Sequence, residues 1–211
     1  MGKAVTVLII FAVIAMLGYA FWQPSGPNAD EQEAYYEVIR EHRAEKDAFF
    51  RESKESPLSP EQRQRFSGLN YFPPSWTFRF TAQLDRFDED EREPVTLATS
   101  DGKEKRYRPI GKAYFRSGSK RLKLIVYQEM LNAEAFFVPF RDLTTGESTY
   151  PAGRYLEPKV RGNVIELDFN YAYNPYCAYN EKYSCPLPPE ENQLEIAVEA
   201  GEKNYKAQPV P

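Results

Sequence analysis

The residues best suited to chemistry lie between positions 140 and 192. Arg141, Asp142, Tyr150 and Arg154 surround a turn rich in hydroxyls, Thr144-Thr145-Gly146-Glu147-Ser148-Thr149. A guanidinium presents a rigid fork that suits a carboxylate or phosphate, and neighbouring hydroxyls can complete an anion pocket. The plainer alternative is an ion pair, Arg141 or Arg154 with Asp142 or Asp168, that pins the turn onto a sheet; such networks imitate binding sites. Asp168 and Asn170 follow, with Asn174 and Asn180 beyond. Strand alternation puts 168 and 170 on one face, where they suit a polar ligand or an oxygen-coordinated cation at a barrel mouth. Alternatively, these amides bond their own backbone in a long loop. The spacing matches no EF-hand.

Cys177 and Cys185 are the only two cysteines. Outside the cytoplasm such a pair is most simply a disulfide, closing a loop of nine residues and contributing about 2.5 kcal/mol. Two thiols without imidazole partners fall short of a closed zinc site, and the spacing lacks the CxxC redox pattern. Tyr171, Tyr173, Tyr176, Tyr179 and Tyr183 offer flat surfaces for sugar rings, or else pack a loop that has no regular structure. His42 is the single histidine, which removes His-based triads, His-rich zinc sites, facial iron triads and imidazole proton shuttles. An enzyme built here would rely on carboxylates, Tyr, Arg, Lys or a thiol. No cofactor or metal is expected.

The elements that must position these residues are readable from pattern. Asp30 with Glu33 has the form of a capping box opening a helix that ends before Ser56-Pro57. Tyr35, Val38, Ile39, His42, Phe49 and Phe50 fall near one of its faces. A shorter helix is expected from Ser59-Pro60 to Gly68. After Pro74 the period becomes two: Trp76, Phe78, Phe80, Ala82 and Leu84 share one face of a half-buried strand. Residues 95–99 and 105–110 flank the hairpin signal Asp101-Gly102, and 113–116 and 120–127 flank Gly118-Ser119 in the same way. Residues 135–140 and 164–169 read as further strands, and Leu194, Ile196 and Val198 alternate in a last one. The expected fold is mainly β (α+β): an antiparallel β-barrel or sandwich-like domain with two N-terminal helices.

Residues 4–22 run AVTVLIIFAVIAMLGYAFW, nineteen positions without a charge. At helical rise this spans about 28 Å, the thickness of a bilayer's hydrocarbon. Gly18-Tyr19-Ala20 is a poor cleavage site, so an uncleaved signal-anchor is expected. Lys3 precedes the segment and Asp30, Glu31 and Glu33 follow it, which places the domain on the extracytoplasmic side of the cell membrane. The organisation is therefore residues 1–23 as anchor, 24–29 as linker and 30–211 as one domain. Of the 211 residues, 42% are hydrophobic and 27% charged, a globular composition. The net charge of −4 with no basic stripe makes nucleic acid an unexpected partner.

The strings PFRDLTTGESTY, AGRYL, LDFNYAYNPYCAYN, CPLPPEEN and the late AGEK resemble a bacterial and archaeal family known as domain of unknown function 1684. The likeness runs from the first extracytoplasmic helix onward. It implies that these positions matter and assigns them no activity. Three functions stay open. The first is a binding module whose mouth, lined by Arg141, Asp142, Tyr150, Arg154, Asp168, Asn170 and Asn174, takes a small anionic or polar ligand. The second is a carboxylate-based enzyme without histidine, using Asp142 or Asp168 as acid or base. The third is a structural envelope protein that meets another protein through residues 170–192.

Overall fold

The computed structural model describes residues 26–205. The expected anchor over residues 4–22 lies outside the described residues. Among those described, no helix is long and apolar enough to cross a membrane. The chain divides into two compact units at the Glu37/Val38 boundary, within helix α1 (Ala29–Glu52). In the first unit the helix starts two residues earlier than the sequence suggests. Asn28, not Asp30, is the cap: the Glu31 N–H donates to Asn28 Oδ1 at 2.8 Å, and the Asn28 N–H donates to Glu31 Oε2 at 3.0 Å, a reciprocal box.

In the second unit Ile39 and Phe50 of α1 are buried, whereas Val38 is 52% exposed, so the apolar stripe is narrower than the pattern predicts. His42 is exposed, with its ring edge-on to Tyr171 at 4.8 Å, a packing role. Helix α2 (Pro60–Gln64) opens on a capping box between Ser59 and Gln62 and stops short of Gly68. Phe50, Leu58, Phe66 and Tyr179 form one small buried cluster here.

Strands β1 (Arg79–Arg86), β2 (Val95–Ala98), β3 (Glu104–Ser117), β4 (Lys120–Glu129), β5 (Phe136–Phe140), β6 (Arg154–Leu156), β7 (Lys159–Arg161) and β8 (Val164–Asp168) form one antiparallel sheet. Its order is β6-β5-β4-β3-β1-β8-β7, with β2 also paired to β3. The sheet is a half-barrel, left open between β6 and β7, rather than a closed barrel or sandwich. Two expected strands merge into β3, whose register shifts between Pro109 and Gly111. A Cβ on Gly111 would fall 2.3 Å from the Asp85 carbonyl oxygen, so only glycine lets β1 pass so close.

Alternation along the strands builds two buried faces. Inward lie Ala82, Leu84, Phe115, Leu124, Val126, Val138, Phe140, Ile165 and Leu167, covered by Phe169, Leu194, Val198 and Ala200. On the opposite face, Leu97, Tyr107, Tyr127, Phe137 and Tyr155 form a second cluster with Cys185. The expected last strand is absent from the sheet. Leu194 and Val198 are buried, but this stretch pairs irregularly, with the Leu194 N–H donating to Arg141 O at 2.8 Å and the Leu143 N–H to Ile196 O at 3.0 Å. Alternation there reported side-chain burial, not a ladder partner.

Candidate functional site

The residues selected from sequence separate into three places. Arg154 pairs with Phe140 across β5 and β6, so it points to the inner, apolar face, with its guanidinium 5.3 Å from the Phe140 ring centre. Its Nη2 donates to Asp142 Oδ2 at 2.9 Å and to Val198 O at 2.8 Å. Its Nη1 donates to Ala200 O at 2.5 Å and Glu202 O at 3.1 Å. Alternate carbonyls of one extended segment are thus gathered on one fork, the geometry that distinguishes Arg from Lys. Burial works against the Arg154 charge, and the adjacent Asp142 carboxylate works for it. Asp142 Oδ1 accepts from the Thr144 N–H at 2.8 Å, the Thr144 hydroxyl at 2.6 Å and the Val198 N–H at 3.2 Å. Both side chains are about 99% buried or more. This is the pinning ion pair, while the Arg141 main chain bonds to Asn192 O and the Leu194 N–H.

Asp168 and Asn170 lie together at the end of β8. Asp168 Oδ1 accepts from the Asn170 N–H at 3.1 Å and from its side-chain amide at 3.0 Å. That amide also donates to Ser75 O at 2.8 Å, while the Ser75 N–H donates to Asn170 Oδ1 at 2.8 Å. The pair therefore docks the segment before β1.

Asn174 belongs to a third place, centred on Glu202, a residue that sequence reasoning missed. Glu202 is 1% exposed. Its Oε2 accepts from the Asn174 N–H at 2.8 Å and the Tyr179 hydroxyl at 2.5 Å, and its Oε1 pairs with Lys46 Nζ at 2.7 Å. Burial, then the Glu202 charge, pushes the Tyr179 hydroxyl well above its usual value. The available signal was the AGEK string, which carried only a family likeness.

Cys177 and Cys185 are both free thiols, so the expected disulfide is not present. Their sulfurs are engaged as hydrogen-bond acceptors instead. Cys177 sits in the 3₁₀ turn Tyr176–Ala178, and its N–H donates to Cys185 Sγ at 3.2 Å. The Tyr150 hydroxyl donates to Cys177 Sγ at 3.7 Å. A hydrogen bond from Cys185 is the largest cause pulling the Cys177 thiol down to about 6; Ser100 and Tyr150 add to it, and burial opposes it. The same pairing pushes the Cys185 thiol up. The tyrosines nearby pack against one another, Tyr155 with Tyr173 at 5.8 Å and Tyr176 with Tyr183 at 5.2 Å. Among the described residues no group of three or more His, Cys, Asp or Glu is placed to hold a metal ion.

What stays open lies elsewhere, on the outer face of β8, β1, β3 and β4. Register places Val164, Gln83, Tyr114 and Lys123 in one row across these strands. Tyr114 is 37% and Val164 47% exposed. Beside that row is an open depression of about 510 Å³ lined by Gln83, Leu84, Asp85, Arg86, Tyr114, Arg121 and Asn163. Arg86 is held in place by Gly162 O at 2.8 Å and Asn163 Oδ1 at 3.3 Å, while Gln83, Asp85 and Arg121 are exposed. Sequence reasoning treated this strand as scaffold, because a solvated polar face and a binding face have the same pattern.

No curated protein matches the chain. A solved relative is an uncharacterised protein of Haloarcula marismortui, determined by solution NMR; it is 42% identical, covers 82% of this chain and 96% of its own, and superposes with a TM-score of 0.63. The family described as "Protein of unknown function (DUF1684)" matches residues 64–203. That span takes in the Arg154–Asp142 pair, both thiols, the outer-face depression and Glu202, and the chain belongs to this family.

Proposed function

We propose that the chain is a membrane-anchored domain on the extracytoplasmic side that binds a small polar or anionic ligand in the depression on the outer face of its sheet. The observation that supports this reading is the convergence of exposed Gln83, Asp85 and Arg121 on the exposed ring of Tyr114 around that depression. A flat ring offers apolar contact, and a few convergent amide, carboxylate and guanidinium groups fix orientation. Arg116 lies opposite Arg121, and Lys123 opposite Tyr114, so the rim carries positive charge that favours an anionic group.

A thermal-shift screen of the full-length chain against anions, sugars and common polar metabolites tests the ligand. A ligand at 100 times its dissociation constant adds about 2.7 kcal/mol. Tyr114→Ala and Arg121→Ala should abolish the shift without moving the unliganded melting temperature. No saturable shift across the panel, or a shift that survives both substitutions, sinks the reading. The anchor rests on the uncharged segment 4–22 and its flanking charges. Retention of the chain in membranes washed with alkaline carbonate, with the domain digestible from outside intact spheroplasts, is the expected result.

The envelope-interaction reading is favoured by a different observation: the charges best suited to a ligand, Arg154 and Asp142, are inside and paired. The carboxylate-enzyme reading draws no support from the geometry, since Asp142 and Asp168 both hold loops in place.

A further inference from the structure

The two thiols are held together by the fold without being joined. Cys185 is fixed to the β2–β3 hairpin on both sides of its peptide: its N–H donates to Ser100 Oγ at 3.2 Å, and its carbonyl accepts from the Ser100 N–H at 2.8 Å. The Cys177 N–H then reaches Cys185 Sγ at 3.2 Å, and Tyr150 reaches Cys177 Sγ from the opposite loop at 3.7 Å. Cys185 is buried against Tyr107, Tyr127 and Tyr155, whereas Cys177 is only partly buried. The result is a pair of sulfurs on a rigid frame, roofed by aromatic rings and reachable from one side.

Among the described residues no third His, Cys, Asp or Glu joins the two thiols, and this decides which ion such a pair suits. Zinc takes four ligands in structural sites and at least three from protein in catalytic ones. Calcium and magnesium require oxygen cages. A soft monovalent ion prefers thiolate sulfur and is satisfied by two of them. We propose that Cys177 and Cys185 form a two-thiolate site for one Cu(I) ion. Binding joins copper to both sulfurs and releases the two thiol protons, with no change of oxidation state. Tyr150, touching the sulfur but not the ion, orients and stabilises the thiolate as outer partners of metal ligands do.

The test is a competition titration of the full-length, reduced chain with Cu(I) against bicinchoninate under anaerobic conditions. One equivalent should be withheld from the chelator. Cys177→Ser and Cys185→Ser should each weaken retention by roughly 100-fold or more, and Tyr150→Phe by roughly 10-fold. A copper K-edge spectrum of the unmodified chain reads the ligand set without relying on any variant, and two sulfur neighbours are expected. Three results overturn the proposal: no copper withheld by a chain with two titratable thiols, retention unchanged in both serine variants, or nitrogen and oxygen neighbours in place of sulfur.

Discussion

Arg154→Met would remove a guanidinium that serves four acceptors and leave the Asp142 carboxylate buried without a partner. Breaking a buried pair from one side costs about 3–5 kcal/mol, to be read as a fall in the urea midpoint at constant slope. Arg154→Lys should not rescue it, because an ammonium lacks the planar fork that meets carbonyls 198, 200 and 202 together. A second residue-scale prediction concerns Cys177. Its thiol is held down to about 6 by hydrogen bonds from Cys185, Ser100 and Tyr150, so the ionised, reactive form dominates above that pH. Alkylation of Cys177 by iodoacetamide should therefore be near its plateau by neutral pH and fall about tenfold for each unit well below 6, since the thiolate is the nucleophile. Cys185, pushed the other way, should remain unlabelled by mass spectrometry. A Cys177 rate that still climbs steeply beyond pH 8 would show that these hydrogen bonds do not hold the thiolate.

Among the elements, the gap between β4 and β5 is bridged by one side chain. The ladder covers only Tyr127 with Phe137 and Gln128 with Phe136. Beyond it, fully buried Asn192 accepts from the Ile125 N–H at 2.7 Å and donates to Ile125 O at 3.0 Å and Pro139 O at 2.8 Å. Its amide thus replaces the missing strand pairing. Asn192→Ala should cost about 3 kcal/mol or more, as it leaves several buried backbone groups unpaired, and amide exchange at Ile125 should accelerate. Gly201 has φ +73, and a Cβ there would lie 2.4 Å from Ala172 O. Gly102, with φ +77, has open space around it. Gly201→Ala should therefore lower the melting temperature far more than Gly102→Ala, whose penalty is about 1 kcal/mol of backbone strain.

Of the strands read correctly from sequence, β4 and β8 combine apolar residues with an adjoining turn signal, and β5 is a compact apolar run. Strands β6 and β7, three residues each, are too short for a period to show, and one carries Arg154 at a position that looks polar. The stretch from Leu194 to Val198 shows the reverse error, since it alternates as a strand does but lies on the core as coil. For the site, residue types were legible and their destination was not. Arg154, Asp168 and Asn174 attract attention by polarity, yet polarity alone does not distinguish a group facing a ligand from one that satisfies buried carbonyls. That distinction depends on contacts such as Arg154 to residue 198, 44 positions away.

At the scale of the whole molecule, every residue of the three buried clusters lies at or beyond Phe49. A chain starting at Val38 should therefore still fold cooperatively, losing no more than the helix cap, about 1 kcal/mol; a circular-dichroism melt with a single sharp transition would confirm it. The inner face of the half-barrel, by contrast, is not finished by the sheet. Its cover comes from Leu194, Val198 and Ala200, and the buried Arg154 charge meets its carbonyl partners only in residues 198–202. Until those residues have left the ribosome, the guanidinium has Asp142 but none of its three carbonyl acceptors, and closing the core around it would leave buried N–H groups unpaired. Synthesis from the N-terminus thus delivers the locking piece after every strand of the sheet. For a chain threaded across a membrane, as proposed here, that order keeps the polypeptide open and able to pass a narrow channel, and completes the fold only on the far side.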